Sequence, residues 1–423
     1  MTTATPPTAT ALDAAGIGRI ADALGEPDWL RELRATWWER SVSTPPPTGQ
    51  EEEWRRTDLT ALPRDGELVV DPPQLEVTLP PDAEAAGVVL TDLRTAVREH
   101  PDLVRRFLGQ TDGPPSHAHF WALAQAAWTG GLFCFVPRGV AVDGTLVARS
   151  SVRGAGGTYL PVSLIVAEEG SSVTLLEEVD SPNGEPGWYG GIVEIQAGQG
   201  AQVRHAHLQR LGDAAWNIGA QRVVVGQDAT VTTLNAEVGS KVTKVGLDAV
   251  MAGRGGTSKL LGLLAAGGDQ HIDINAHQAL AADHTTSDLL YLSALYDRAR
   301  AAFYGVTLVE HGTKATSSYQ ECRNLLLSPE AGAEPIPVLE IKANDILRCG
   351  HGATAGAIDP TQLFYAQTRG LDPETAERMI VRGFFEQVVA QIRDETIRTR
   401  VLGALAERIG VTEEPVPLGE AVA

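Results

Sequence analysis

The chain has 423 residues, and its 34 Lys and Arg against 54 Asp and Glu give a formal net charge of −20. A surface this acidic repels phosphate backbones and anionic bilayers, which excludes non-specific nucleic-acid or membrane-surface binding and favours a basic or neutral protein partner. No run of 18 apolar residues and no basic-then-apolar leader is present, so neither a transmembrane helix nor a signal peptide is expected. Three cysteines, Cys134, Cys322 and Cys349, are too few for a disulfide framework, so a reducing cytoplasm is expected.

Three zones follow along the chain, with expected boundaries at 1–128, 129–350 and 351–423. The first carries helical signals. Trp29, Leu30, Leu33, Trp37 and Trp38 recur at helical spacing, and the stretches 90–108 and 117–128 read as amphipathic helices. Residues 65–85, with Pro72, Pro73, Pro80 and Pro81, read as irregular.

The middle zone is rich in Val, Thr and Gly in short alternating runs. Turn residues recur through it at Gly170, Gly200, Asp228, Gly256, His284 and Gly312, a step of 30 followed by four steps of 28. Most follow an apolar strand such as Ile192–Ile195 or Val223–Val225, and several precede another such as Val231–Leu234. A period this regular, with two strands per repeat and no helix between them, predicts a parallel β-helix. An evenly spaced β-sandwich is the competing architecture, but its loops rarely keep one length. The third zone turns helical again. Asp359-Pro360 and Asp372-Pro373 each offer an N-cap followed by proline at the first helical position, and Gly370 suits a helix C-terminus.

Cys349 and His351 stand two residues apart in Ile346-Leu-Arg-Cys-Gly-His-Gly-Ala-Thr-Ala-Gly356. On a strand this spacing puts a thiol and an imidazole on one face, flanked by glycines that leave access open. Both are good ligands for iron and zinc, yet two donors are only half of a site. The alternative is a small buried thiol beside a hydrogen-bonded histidine. Cys134 is expected in the core, and Cys322 in the core or an interface. His205 and His207 alternate on a strand and could bind metal, but are expected as solvated imidazoles on an outer face. No phosphate-binding Gly-x-x-x-x-Gly-Lys loop, Gly-x-Ser-x-Gly elbow or Cys-x-x-Cys pair is present, so ATP-driven work would need another subunit.

In order along the chain, Glu53-Trp-Arg-Arg-Thr-Asp-Leu59, Arg323-Asn-Leu-Leu-Leu-Ser328, Leu339-Glu-Ile341, Cys349-Gly-His-Gly-Ala-Thr354 and Leu363-Phe-Tyr-x-x-x-Arg-Gly370 resemble the SufB/SufD family of the SUF iron–sulfur cluster assembly complex. Within it they look most like the SufD branch: the Glu-His-Glu-Ala normal for SufB is Gly350-His-Gly-Ala here, and SufB's further cysteine in an Asn-Cys-Gly stretch is missing. Gly350 departs from the serine common in SufD, at a position expected to point away from the ligand face. The resemblance implies a mainly β protein, a right-handed parallel β-helix flanked by helical regions. It implies a non-enzymatic scaffold that pairs with SufB through the β-helices and docks the ATPase SufC on its C-terminal helices. His351, with Cys349 beside it, would then hold part of a transient cluster shared with the partner, and no cofactor would be bound permanently. Phe364, Tyr365, Arg369, Phe384 and Phe385 are the candidate partner contacts, with packing of the aromatics onto the β-helix as the alternative. Homodimerisation of the isolated chain stays open. The rival readings are a SufB-like paralogue and a carbohydrate-active β-helix enzyme, which would need clustered carboxylates on the coil exterior.

Overall fold

The computed structural model describes residues 9–63, 67–70, 74–153 and 156–409. Its centre is a parallel β-solenoid of about eight coils. Each coil gives one strand to each of two sheets. The first sheet stacks 132–136, 162–167, 192–197, 215–225, 242–251, 271–280, 300–309 and 332–341. The second stacks 141–151, 172–180, 202–210, 230–237, 257–266, 286–295, 314–326 and 345–357.

Val173, Val203 and Val231 share one register position and turn inward, with Leu260, Leu289, Leu247, Ile274 and Phe303 completing a continuous interior core. The corners are set by residues in the left-handed region: Gly170, Gly200, Asp228, Gly255, His284 and Gly312, with φ between +53° and +83°. Glycine meets that conformation without strain, and Asp and His tolerate it better than most side chains. The expected turn at Gly256 thus falls one residue late. The period also varies: Ser172, Gln202, Thr230, Thr257, Thr286 and Ser317 stack as partners, so successive coils take 30, 28, 27, 29 and 31 residues. The corners absorb the difference, which leaves the strands in register.

Both outer faces are covered over part of their length, and the last coils stay more open. Helices 14–23, 28–43, 93–99, 101–107 and 118–127 lie over the first sheet, through a second core that includes Trp37, Trp54, Phe120, Trp121, Trp128 and Trp216. The expected helix over 90–108 is instead a strand, Val89–Asp92, and two helices broken at His100-Pro101, where proline disfavours helical geometry in the preceding residue. Within the stretch read as irregular, Gln74–Thr78 is a strand and Pro81–Ala85 a short helix; residues 71–73, including two of its prolines, lie outside the described residues.

The second sheet is covered by helices 373–389 and 395–409, whose Phe385, Val388, Val389, Ile397 and Val401 pack on Leu176, Ala206, Leu208, Leu234 and Leu261. Helices 360–368 and 373–389 start at the expected caps, Asp359 and Asp372, and Gly370 between them has φ +94°. The β region runs on to Ala357, so the expected boundary at 350 falls inside the last strand.

The two ends of the solenoid differ. At the first coil, antiparallel strands Gln74–Thr78 and Val89–Asp92 cover the edges of 141–151 and 132–136. At the last, strands 332–341 and 345–357 each have a neighbour on one side only among the described residues. The 332–341 edge carries Pro335 and Pro337, which have no N–H to offer a further strand. The 345–357 edge contains no proline.

Candidate functional site

The uncovered end is where Cys349 and His351 lie. Strand 345–357 follows its neighbour with a bulge: Thr316 pairs with Ile346 and Ser317 with Arg348, and the extra residue, Leu347, is 73% exposed. Beyond the bulge Cys349 pairs with Ser318, His351 with Gln320, Ala353 with Cys322 and Ala355 with Asn324. Ser318, Gln320, Cys322 and Asn324 are all buried and form the last inward-facing row. Cys349 and His351 therefore share the inward face, as their spacing predicts, and lie at the mouth of the lumen rather than on the side wall. The alternate residues face out. A Cβ on Gly350 would lie 3.4 Å from the Tyr319 ring, and one on Gly352 3.2 Å from its hydroxyl oxygen. Arg348 stacks over the same ring at 4.3 Å. Gly350 thus sits on the opposite face from the Cys–His pair.

Cys349 is half-buried against the end of the interior core, and that burial pushes its thiol above the ordinary value. A metal ion binding there would have to displace the proton, since the thiolate is the ligand. His351 is exposed, and among the described residues no hydrogen bond or ion pair engages its ring. No group of three His, Cys, Asp or Glu able to hold a metal occurs among the described residues. The mouth offers one sulfur and one imidazole, two donors rather than a complete metal site.

Below the mouth the lumen stays polar. Gln320 Nε2 donates to the carbonyls of Val338 (3.0 Å) and Gly305 (3.3 Å), and Asn324 Nδ2 donates to that of Thr354 (2.9 Å). Cys322 is buried there, its thiol pushed up to about 12 by desolvation. Cys134 is fully buried, as expected, and behaves alike. His205 and His207 correct the expectation of solvated outer imidazoles: both point inward. His205 Nε2 lies 2.9 Å from Glu177, and His207 Nδ1 lies 4.0 Å from Glu237. Their face is set by Val203, which belongs to the interior core two residues earlier on the same strand.

The Glu53–Leu59 segment is pinned to the outer face of the first sheet. Lys244 Nζ lies 2.8 Å from Asp273 and 5.0 Å from the Trp54 ring centroid. Thr57 donates to the same carboxylate at 2.6 Å, and Trp54 Nε1 donates to the Ser116 carbonyl at 2.7 Å. These contacts anchor the helical cap to the coils.

The five candidate partner contacts divide. Phe364 and Tyr365 are 67% and 61% exposed on helix 360–368, and Arg369 stacks over Tyr365 with a 3.1 Å hydrogen bond to its hydroxyl. Phe384 is half-buried against the helix–sheet core. Phe385, 2% exposed, lies within that core, which corrects its assignment as a surface contact. Adjacent residues on a helix point about 100° apart, so only one of the two can face the sheet squarely.

Residues 150–384 match the family described as SUF system FeS cluster assembly, SufBD core domain. The iron–sulfur cluster assembly protein SufB of Bacillus subtilis is 28% identical over 312 residues, spanning 74% of this chain and 67% of the relative. Iron–sulfur cluster assembly SufBD family proteins of Staphylococcus saprophyticus and Staphylococcus epidermidis match with the same identity and coverage. The matched segment runs from the end of the first coil, through the mouth with Cys349 and His351, into helix 373–389; the chain belongs to the SufBD core family of SUF iron–sulfur cluster assembly proteins.

Proposed function

We propose that this chain is a non-catalytic scaffold of the SufD kind, pairing with a SufB paralogue at the uncovered end of its solenoid and docking a SufC-type ATPase on its C-terminal helices. The observation that carries the reading is the placement of Cys349 and His351 on the inward face of the last strand, beside a backbone edge with no neighbour among the described residues. A bare strand edge invites another strand, and 345–357 can accept one where the proline-bearing 332–341 cannot. A partner joined there would bring its own ligands against the imidazole and thiol. The nascent cluster is then cargo held between two chains, and ligands divided between subunits let it leave when they part.

Helix 360–368 supports the docking half of the proposal. It buries only Ala366 fully and holds Phe364 and Tyr365 in solvent, and Met379 on the following helix is half-exposed. Aromatic residues left outside the core are typical anchors of protein interfaces. Movement of these helices by the ATPase would pull on the sheet that ends in 345–357.

The test is His351→Ala in the reconstituted three-component complex, with cluster formation followed by visible absorption and iron content. Loss of cluster with the complex intact is expected. Full cluster yield from the variant complex would remove His351 from the role. Failure of the chain to co-purify with a paralogue and an ATPase would remove the scaffold reading itself.

A further inference from the structure

On the outer face of the second sheet, the turn at 390–394 between helices 373–389 and 395–409 touches strand 141–151 through Asp394 and Thr145 but stands off strands 202–210, 230–237 and 257–266. It leaves a cleft of about 280 Å³. The floor is apolar, from Ala206, Leu234, Leu261 and Ile397. Three cations line it: Arg204, Lys259 and Arg393. The first two share one register column, with Thr232 between them, so their strands are about 9–10 Å apart.

Many of this chain's cations are paired. Arg34, Arg56, Arg149, Arg222, Arg298 and Arg323 each hold a carboxylate. Among the described residues Arg204, Lys259 and Arg393 make no ion pair or hydrogen bond. The one carboxylate in the cleft, Asp394, is already engaged: it accepts from Thr145 Oγ1 at 2.5 Å and from the N–H of Ile397 at 2.9 Å. Asp288 lies one strand beyond Lys259 in register and forms no ion pair with it. In a molecule of net charge −20, three cations against the single carboxylate Asp394 leave this apolar cleft with a local excess of positive charge.

We propose that this cleft binds a small phosphate-bearing molecule with an apolar body, of mononucleotide size. Arg204, Lys259 and Arg393 hold the phosphate, and the leucine floor receives the ring. The volume fits such an occupant, since it lies just under the roughly 300 Å³ where pockets for larger drug-sized ligands begin. Arg393 is on the helix–helix turn and the other two cations are on the sheet, so occupancy ties the C-terminal helices to the coils.

The experiment is isothermal titration calorimetry of the full chain with AMP and with inorganic phosphate at low salt, on the parent, Arg204→Gln, Lys259→Gln and, as a remote control, Arg298→Gln. AMP is expected to bind with sub-millimolar affinity, weakened about tenfold or more by each cleft substitution and unchanged in the control, because hydrogen bonds to charged groups are the strong ones. AMP should also raise the melting temperature of the parent and leave that of an Arg204→Gln/Lys259→Gln double variant unmoved. No heat at millimolar AMP, or an affinity indifferent to both cleft substitutions, overturns the site. Equal affinity for inorganic phosphate and AMP overturns the apolar part of the assignment.

Discussion

Glu237→Gln tests the polar lumen directly. Glu237 is 1% exposed and accepts hydrogen bonds from Gln209 at 3.0 Å and Asn217 at 3.3 Å. Burial nevertheless pushes its carboxyl from the ordinary 4.5 up to about 7. Burial acts oppositely on His207, taking its imidazole from 6.5 down to about 4. In the folded chain Glu237 holds its proton between pH 4.5 and 7 while the unfolded chain has lost it, so its contribution to stability falls as pH rises through that window. At about 1.4 kcal/mol per pH unit the interval makes roughly 3 kcal/mol. His207, depressed, adds stability as pH rises from 4 to 6.5, and in the parent the two trends largely offset. The Gln amide keeps an oxygen for Gln209 and Asn217 and carries no charge. Relative to the parent, the variant should therefore gain roughly 2–3 kcal/mol between pH 5 and pH 8. Urea unfolding of both proteins at the two pH values measures this, with unchanged m-values as the control. A parent–variant difference that is the same at pH 5 and pH 8 would refute the buried, protonated carboxyl.

Phe385→Ala should cost about 3–5 kcal/mol, seen as a lower thermal midpoint, because it opens a cavity between helix 373–389 and the second sheet. Asp273→Ala should cost about 3–5 kcal/mol by leaving the Lys244 ammonium buried without its carboxylate, and the loss should be largely rescued by pairing it with Lys244→Met. Phe364→Ala should change stability by less than about 0.5 kcal/mol, yet weaken capture of the ATPase subunit in a pull-down; retention of full capture would clear that aromatic of a docking role. With iodoacetamide at neutral pH only Cys349 should alkylate in the native chain, and slowly, since burial raises its thiol, while Cys134 and Cys322 should react only after unfolding, as read by mass spectrometry.

The coil architecture was legible because each turn leaves a local trace: a glycine, aspartate or histidine able to take a left-handed corner, followed by an alternating run. The same-face pairing of Cys349 and His351 was legible for the same reason, from a two-residue spacing on a strand. What alternation cannot state is which face is inside. On strand 202–210 the outward residues Ala206 and Leu208 are as apolar as the inward Val203, because helices cover that side. With both faces buried, the rule of apolar in and polar out loses its meaning, and His205 and His207 read as outer residues. Phe385 was misplaced through the same ambiguity at the helix, where two adjacent aromatics cannot both be surface anchors. Arg204 and Lys259 lie two coils apart, and only a register that varies from coil to coil brings them to one column.

The two termini of the stack differ in the kind of strand that could extend them. At the beginning, strands 74–78 and 89–92 run antiparallel to the coils, so a further parallel coil cannot simply continue the stack there; at the other end, among the described residues, 345–357 lies parallel with a neighbour on one side only. Two chains joined through 345–357 would use up that edge on both. Growth past such a pair would then need an antiparallel partner at the short strands 74–78 and 89–92.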